Sequence, residues 1–447
     1  MGIQINGQTD TISATDGSFT IQGATLPTAE VTNLNATGIV TATSFSGPLT
    51  GNVTGNLTGT ASTATAAATA YGLSGSPTLS GITSISTTNL TVNGNAYPSS
   101  GPLSNRNKII NGDMRIDQRN AGASVTLGSN GAYPVDRFFC VEDSDGVMTA
   151  QQSTSAPAGF SNSIRFTTTT ADSSLTGGQF ACIQQMVEGY NVANLNFGTA
   201  NAQTFTLSFW VRSSLTGTFG GSVANGAHDR SYAFTYSISS ANTWEYKTIT
   251  IAGDTSGTWL TTNGKGLKIT WGLGVGSSYS GTAGSWNSAV YLSATSAVSV
   301  IGTLNATFDI TGVQLEAGSV ATPFEHRNYG NELARCQRYC QVHDVSGSGE
   351  LIAHGVGNGT TTSSQIIRPF VPFRSAPALT ISSAGDFQIQ FVGSATTTTC
   401  SSLSLITGTT SSNYVYIDCA ITGGTAGQGQ YLRSQNANAV LTLSAEL

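Results

Sequence analysis

Between residues 205 and 271 apolar side chains recur at every second position. Phe205, Leu207, Phe209 and Val211 alternate with polar residues, and Tyr232, Phe234, Tyr236 and Ile238 repeat the pattern. Lys247, Ile249 and Ile251 follow, then Leu267, Ile269 and Trp271. Successive side chains of a strand point to opposite faces, so this rhythm suits half-buried strands and conflicts with the 3.6-residue period of a helix. Asn225-Gly226 and Asn263-Gly264 punctuate the runs, and Asn-Gly readily takes the positive φ angles of tight turns. Short strands, glycine-rich turns and no long helical pattern predict a β-sandwich over residues 105–327.

The region before it follows a different rule. Gly47-Pro-Leu-Thr, Gly51-Asn-Val-Thr, Gly55-Asn-Leu-Thr and Gly59-Thr-Ala-Ser are successive tetrads of glycine, any residue, an aliphatic or alanine, and a hydroxyl. So few aliphatic residues cannot close a core within one chain. Three chains wound together can, with Val and Leu on a shared axis and glycines allowing close backbone approach. Residues 31–104 are therefore read as an intertwined β-stalk, with a flexible Gly/Thr linker as the competing reading. Leu79, Ile82, Ile85, Leu90 and Val92 add a strand rhythm up to an Asn93-Gly94 turn. In residues 1–30, Asp16-Gly17 between Thr11-Ile-Ser-Ala-Thr and Ser18-Phe-Thr-Ile predicts a hairpin, which is marginal alone and needs a docking surface.

After the sandwich, residues 308–315 alternate as a last strand, Pro323 ends it, and residues 331–341 turn helical. Tyr329, Leu333, Cys336 and Cys340 are spaced four, three and four apart, which places them on one helical face. A helix of about three turns does not persist alone in water. Residues 328–342 are thus expected to form a short trimeric helix with these four residues as its seam. Residues 343–447 differ again. Arg368-Pro-Phe-Val-Pro-Phe-Arg374 is broken by prolines, which sit at strand edges and turns, and later runs at 387–392, 403–406 and 414–417 continue as β.

Two segments carry a resemblance. Residues 109–116, Ile-Ile-Asn-Gly-Asp-Met-Arg-Ile, with Gln118-Arg119, open the sandwich. Val-Gln-Leu-Glu-Ala-Gly at 313–318, Phe324-Glu325, Arg327, Tyr329, Glu332-Leu333 and Cys336-Gln-Arg-Tyr339 close it. Together they resemble a module recurring in bacteriophage tail-fibre proteins, matching about residues 105–342, and the stalk is similar to those of cyanobacterial-phage structural proteins. The resemblance implies a jelly roll similar to carbohydrate-binding modules within an elongated homotrimeric fibre. It further implies a virion role, with residues 1–30, by resemblance and position, as the anchor to a tail or baseplate protein. The start without a signal pattern implies synthesis in the host cytoplasm. The distal position and polar-aromatic residues of 343–447 make that segment the expected receptor-binding tip. The receptor would be a host polysaccharide, lipopolysaccharide or outer-membrane component. A virion appendage without a receptor role (whisker, capsid fibre or decoration protein) and a polysaccharide depolymerase tailspike are the alternatives.

Composition narrows the classes further. Charged residues make up 9% of the chain, against roughly 25% in an average soluble protein, so the surface is solvated by hydroxyls and amides. With a net charge of −6, four lysines and no basic residue before Arg106, nucleic acid is not an expected partner. No apolar run approaches the length of a membrane-spanning helix, and the polar start lacks a signal-peptide pattern. The cysteines at 140, 182, 336, 340, 400 and 419 lack zinc spacing; Cys400 and Cys419 flank a hairpin and could pair. Glu142-Asp143-Ser144-Asp145-Gly146 resembles a fragment of a calcium loop but lacks the remaining ligand spacing, with a solvated turn as the simpler reading. The jelly-roll resemblance adds Asp113 and Asp309 as structural-calcium positions, with ordinary surface carboxylates as the simpler reading. No cofactor and no metal are expected.

For function, Trp210 stands out because it shares its strand face with Thr204, Thr206, Ser208 and Arg212 and not with the apolar set. An aromatic ring on a polar face suits stacking against a sugar. Trp210 and Arg212 are candidate ligand contacts, as are Tyr414, Tyr416, Tyr431 and Arg433 in the tip. Catalysis is not expected. Glu142, Asp143, Glu188, Glu316 and Glu325 form no motif-defined pair, no Gly-x-Ser-x-Gly elbow occurs, and the four histidines lack a nucleophile context.

Overall fold

The alternating runs form the two facing sheets of an antiparallel β-sandwich. The structure, a computed structural model, describes residues 103–345 and 347–447 and the backbone of residues 91, 92, 95 and 96. The expected N-terminal hairpin, the tetrads and nearly all of the stalk lie outside the described residues. Thr91–Val92 pairs antiparallel with Asn95–Ala96, on either side of the expected Asn-Gly turn. Among the described residues, one sheet has six strands in the order Glu245–Ile251, Phe205–Ser213, Thr307–Ala317, Ser163–Thr170, Val147–Ser153, Val125–Thr126. The facing sheet has seven, centred on Gly217–Ala224, Lys265–Val275 and Phe180–Glu188. Strands distant in sequence lie side by side, as in a jelly roll.

The inner faces are the apolar positions read from the sequence. Phe205, Leu207, Phe209 and Val211 are fully buried, as are Leu267, Ile269 and Trp271. Phe209 meets Trp271 edge-on at 5.7 Å and Phe219 meets Phe308 at 5.9 Å, which ties the sheets together. Each such side chain contributes about 1.5–3 kcal/mol through burial.

The opening and closing segments are tied to each other. Asn107 accepts from the Leu315 amide at 3.0 Å and donates to the Val313 carbonyl at 3.2 Å. The Glu325 carboxylate accepts from the Asn105 and Asn107 amides. Arg327 reaches the Ile109 carbonyl at 2.9 Å and the buried Glu332 at 3.2 Å. Glu316 binds Thr322 through both oxygens. Those side chains satisfy backbone groups where the first residues of the sandwich lie along its last strand.

The expected trimeric helix is shorter and is used within the chain. It spans Tyr329–Gln337, and Cys340 starts the strand Cys340–Asp344. Two interactions outcompete a further turn. The C-terminal strand Val440–Ser444 pairs with Cys340 and its successors, and Tyr339 is buried with its hydroxyl donating to Glu188 at 2.6 Å. Cys336 packs against Ile110, Ile116 and Tyr339, with Leu333 at the edge of that cluster, while Tyr329 is 55% exposed. The four residues therefore do not form one outward helical seam.

The last hundred residues build a second β-structure, with a three-stranded sheet and a seven-stranded sheet around Phe387, Ile389, Val415, Ile417, Leu432 and Leu441. It does not stand separate from the sandwich. Arg374 donates to the carbonyls of Asn263, Ala445 and Glu446, and the Glu446 carboxylate lies between Arg119 and Arg137. All six cysteines are buried free thiols, Cys400 and Cys419 included.

On the outer side of the seven-stranded sandwich sheet, the Lys268 ammonium donates to Nδ1 of His228 at 3.2 Å. Burial first, and the Lys268 charge second, push the His228 imidazole down to about 4. A histidine depressed in the folded state contributes stability that is present at neutral pH and lost as pH falls from about 6.5 toward 4. Acidifying from pH 7 to 4 is expected to cost the wild type about 2–3 kcal/mol more than His228→Gln. Denaturation curves at both pH values check this; parallel losses in the two proteins would contradict it.

Candidate functional site

The outer face of the six-stranded sheet is polar except for one aromatic patch. Strand register places Tyr246, Trp210 and Thr311 in a single cross-strand row. The Trp210 and Tyr246 rings lie 5.3 Å apart, tilted by 45°. Tyr246 is 42% exposed. Its phenol is pushed above the ordinary value by burial, with a hydrogen bond involving Ser208 opposing, so it stays a neutral donor at pH 7. Beside the pair, a wall of three rings rises from the loops. Phe160 meets Phe324 edge-on at 5.0 Å and His326 at 5.3 Å. Floor and wall enclose a cleft of about 420 Å³, with Ser208 among its polar groups.

Gly312 makes this arrangement possible. The Thr307–Ala317 strand bulges between Thr311 and Gln314, and Gly312 has φ +62° there. A Cβ at that position would lie 2.8 Å from Phe160 Cζ and 3.0 Å from Trp210 Cδ1. Gly312→Ala is expected to destabilise the fold by about 1–2 kcal/mol through the left-handed backbone alone and to spread the two rings. Thermal unfolding measures the first effect and ligand affinity the second; an unchanged melting curve would contradict the assignment.

The next row of the same face is held by charge. Asp309 is buried between Arg165 at 2.9 Å and Arg212 at 3.2 Å, and the Arg212 guanidinium lies 4.9 Å from the Trp244 ring centre. Arg212 thus neutralises a buried carboxylate beside the cleft and is not among its lining residues. Asp113 is paired with Arg115. Both proposed calcium positions therefore hold a guanidinium, and Glu142 bonds Ser144. Among the described residues, no group of three or more His, Cys, Asp or Glu is placed to hold a metal.

The tip candidates fall into separate places. Tyr414 lines a cavity of about 300 Å³ with Arg368 and Asn413, the Arg368 guanidinium 5.5 Å from its ring centre. Tyr416 and Tyr431 share a cross-strand row with His354 and Ile366 between them. Arg433 donates to Gln390. Of the sequence candidates, Trp210 alone lines the aromatic cleft. Tyr246 was open to the same reading, since it has the opposite parity to Lys247, Ile249 and Ile251. Phe160, Phe324 and His326 come from loops, where no period marks them.

No protein-family model and no curated protein matches the sequence. Among solved structures, the enzymatically active domain of tailspike protein 4 of bacteriophage CBA120 is 13% identical over 47% of this chain, with TM-score 0.26. The match spans 21% of that domain's chain, so this chain covers about a fifth of its length. A putative sugar binding protein from Bacteroides thetaiotaomicron is 12% identical over 47% of this chain and all of its own, with TM-score 0.28. The family 11 carbohydrate-binding module of Clostridium thermocellum, solved with a β-1,3-1,4-mixed-linked tetrasaccharide, is 10% identical over 46% of this chain and all of its own, with TM-score 0.23.

Proposed function

We propose that this chain is a non-catalytic fibre protein of a phage virion and that it binds a host-surface glycan in the Trp210–Tyr246 cleft. The observation that carries the glycan reading is the aromatic pair on an otherwise polar sheet face, opposed by a second aromatic wall and opened by Gly312. Sugar rings present apolar C–H faces and a hydroxyl rim, which such a cleft matches with rings below and Ser208 at the side. The resemblance of residues 105–342 to a tail-fibre module supports the virion role. No carboxylate is among the residues lining this cleft, whereas cleaving a glycosidic bond takes two. That supports binding without hydrolysis.

Three copies wound through the tetrads of the stalk would carry three clefts, so weak single contacts multiply. The Arg368–Tyr414 cavity supports an additional contact in the tip. Adsorption interference tests the reading. Host cells preincubated with purified protein and then challenged with phage should adsorb fewer particles, without release of reducing sugar. Undiminished adsorption by a folded protein would favour a virion appendage with no receptor role, and sugar release would favour a depolymerase.

A further inference from the structure

The aromatic wall borders more than one cavity. His326 also lines a cavity of about 390 Å³ beside Asp113 and Arg115 and a groove of about 680 Å³ that runs between the Tyr329–Gln337 helix and Val371-Pro372. Three arginines border this groove, and two are already used. Arg338 holds Glu188 at 2.6 and 2.9 Å, and Arg327 holds Glu332 and two backbone carbonyls. Arg335 differs. It donates to the side-chain carbonyl of Asn105 at 3.1 Å, and among the described residues no carboxylate forms an ion pair with it. No Asp or Glu lines the groove, while Asn105, Asn328 and Asn331 supply amides.

We propose that the glycan is anionic, and that Arg335 takes its acidic group (a carboxylate, or a sulfate or phosphate ester) in this groove while a neighbouring sugar stacks on Trp210 and Tyr246. This rests on the glycan reading of the aromatic cleft and adds the substrate class. An arginine fork matches a planar carboxylate or a tetrahedral ester with paired, charge-assisted hydrogen bonds. Burial first and the neighbouring Arg327 second push the Arg335 guanidinium below its ordinary value, against the opposing charges of Glu332 and Glu325, which lie near it without forming an ion pair. The Arg368 cavity shares Pro372 with the groove, and Arg368 likewise forms no ion pair with a carboxylate among the described residues. In a chain with net charge −6, the cavities bordered by Arg335 and Arg368 thus meet at Pro372. Two uncommitted arginines are too few for the phosphate backbone of a nucleic acid, which takes many neutralised contacts.

The test uses the full-length protein and calorimetric titration with four probes: an oligogalacturonate, a neutral oligogalactoside of equal length, dextran sulfate and single-stranded DNA. An acidic probe should bind at least about tenfold more tightly than the neutral one, and the advantage should shrink with added salt. Preference for oligogalacturonate identifies a carboxylate and preference for dextran sulfate an ester, and either supports the proposal. Arg335→Gln should weaken acidic binding at least about tenfold more than neutral binding; Arg335→Lys should keep part of the preference. The salt series on the wild type keeps the test intact if Arg335→Gln fails to fold. Equal affinity for acidic and neutral probes overturns the proposal. So does an Arg335→Gln loss that is equal for both, or DNA binding as tight as either acid. Trp210→Ala separates the two readings, because retained neutral binding in that variant overturns the cleft assignment and leaves the acid preference to be judged by Arg335 alone.

Discussion

Trp210→Ala is expected to weaken glycan binding about 30-fold while leaving the melting temperature nearly unchanged. The indole is half-buried on the outer face of the sheet and outside the main core cluster, so truncating it removes little that holds the sheets together. A sugar stacked on it would cover one face of the ring. Aromatic anchors at the centre of a contact are worth roughly 2 kcal/mol on truncation, and each 1.4 kcal/mol is about tenfold in affinity. Tyr246→Ala should lose less, because its ring is the more exposed of the pair and sits on an edge strand. Calorimetric titration of both variants against a glycan selected on an array checks the order. A Trp210→Ala protein with wild-type affinity would remove the cleft from the account.

The second large effect concerns stability. Glu446→Ala is expected to destabilise the fold by about 3–5 kcal/mol. The Arg137 side chain is only 2% exposed and has the Tyr339 ring centre 3.5 Å from its guanidinium carbon and the Met186 carbonyl 2.6 Å from Nη2. Glu446 is its ionic partner and also binds Arg119 at 3.0 Å. Without it Arg137 remains as a buried charge with no anion, a state that costs far more than a surface pair is worth. Glu446→Gln should fall between, since the amide oxygen still accepts a hydrogen bond. Equilibrium unfolding in denaturant measures all three proteins. A loss below about 1 kcal/mol for the alanine variant would mean that water reaches Arg137.

The sandwich was legible because its strands obey a strict two-residue period with one face dry. Phe205 through Val211 and Leu267 through Trp271 could be assigned to the core by parity alone, and so could Trp210 to the other face. The helix was misjudged by parity of another kind. The spacing from Tyr329 to Cys340 fits a helical face, but Cys340 is captured by a strand a hundred residues later, and such long-range pairing leaves no local trace. The wall of the cleft was illegible for the same reason: Phe160 and Phe324 are 164 positions apart and become neighbours only when the Thr307–Ala317 strand pairs with Ser163–Thr170. Gly312 was readable in hindsight, because a glycine inside an alternating strand often marks a bulge or a close approach of side chains. Arg335 reads as one more helix charge until its neighbours are seen to be paired and it is not.

The central claim is that the outer face of the six-stranded sheet holds a sugar. The most direct measurement is nuclear magnetic resonance of indole and phenol signals during titration with a host-surface oligosaccharide. The account predicts saturable shifts at Trp210 and Tyr246, with the buried Trp271 unmoved. Shifts confined to Tyr414, Tyr416 and Tyr431, or none at a ligand concentration that blocks adsorption, would contradict it and place recognition in the tip.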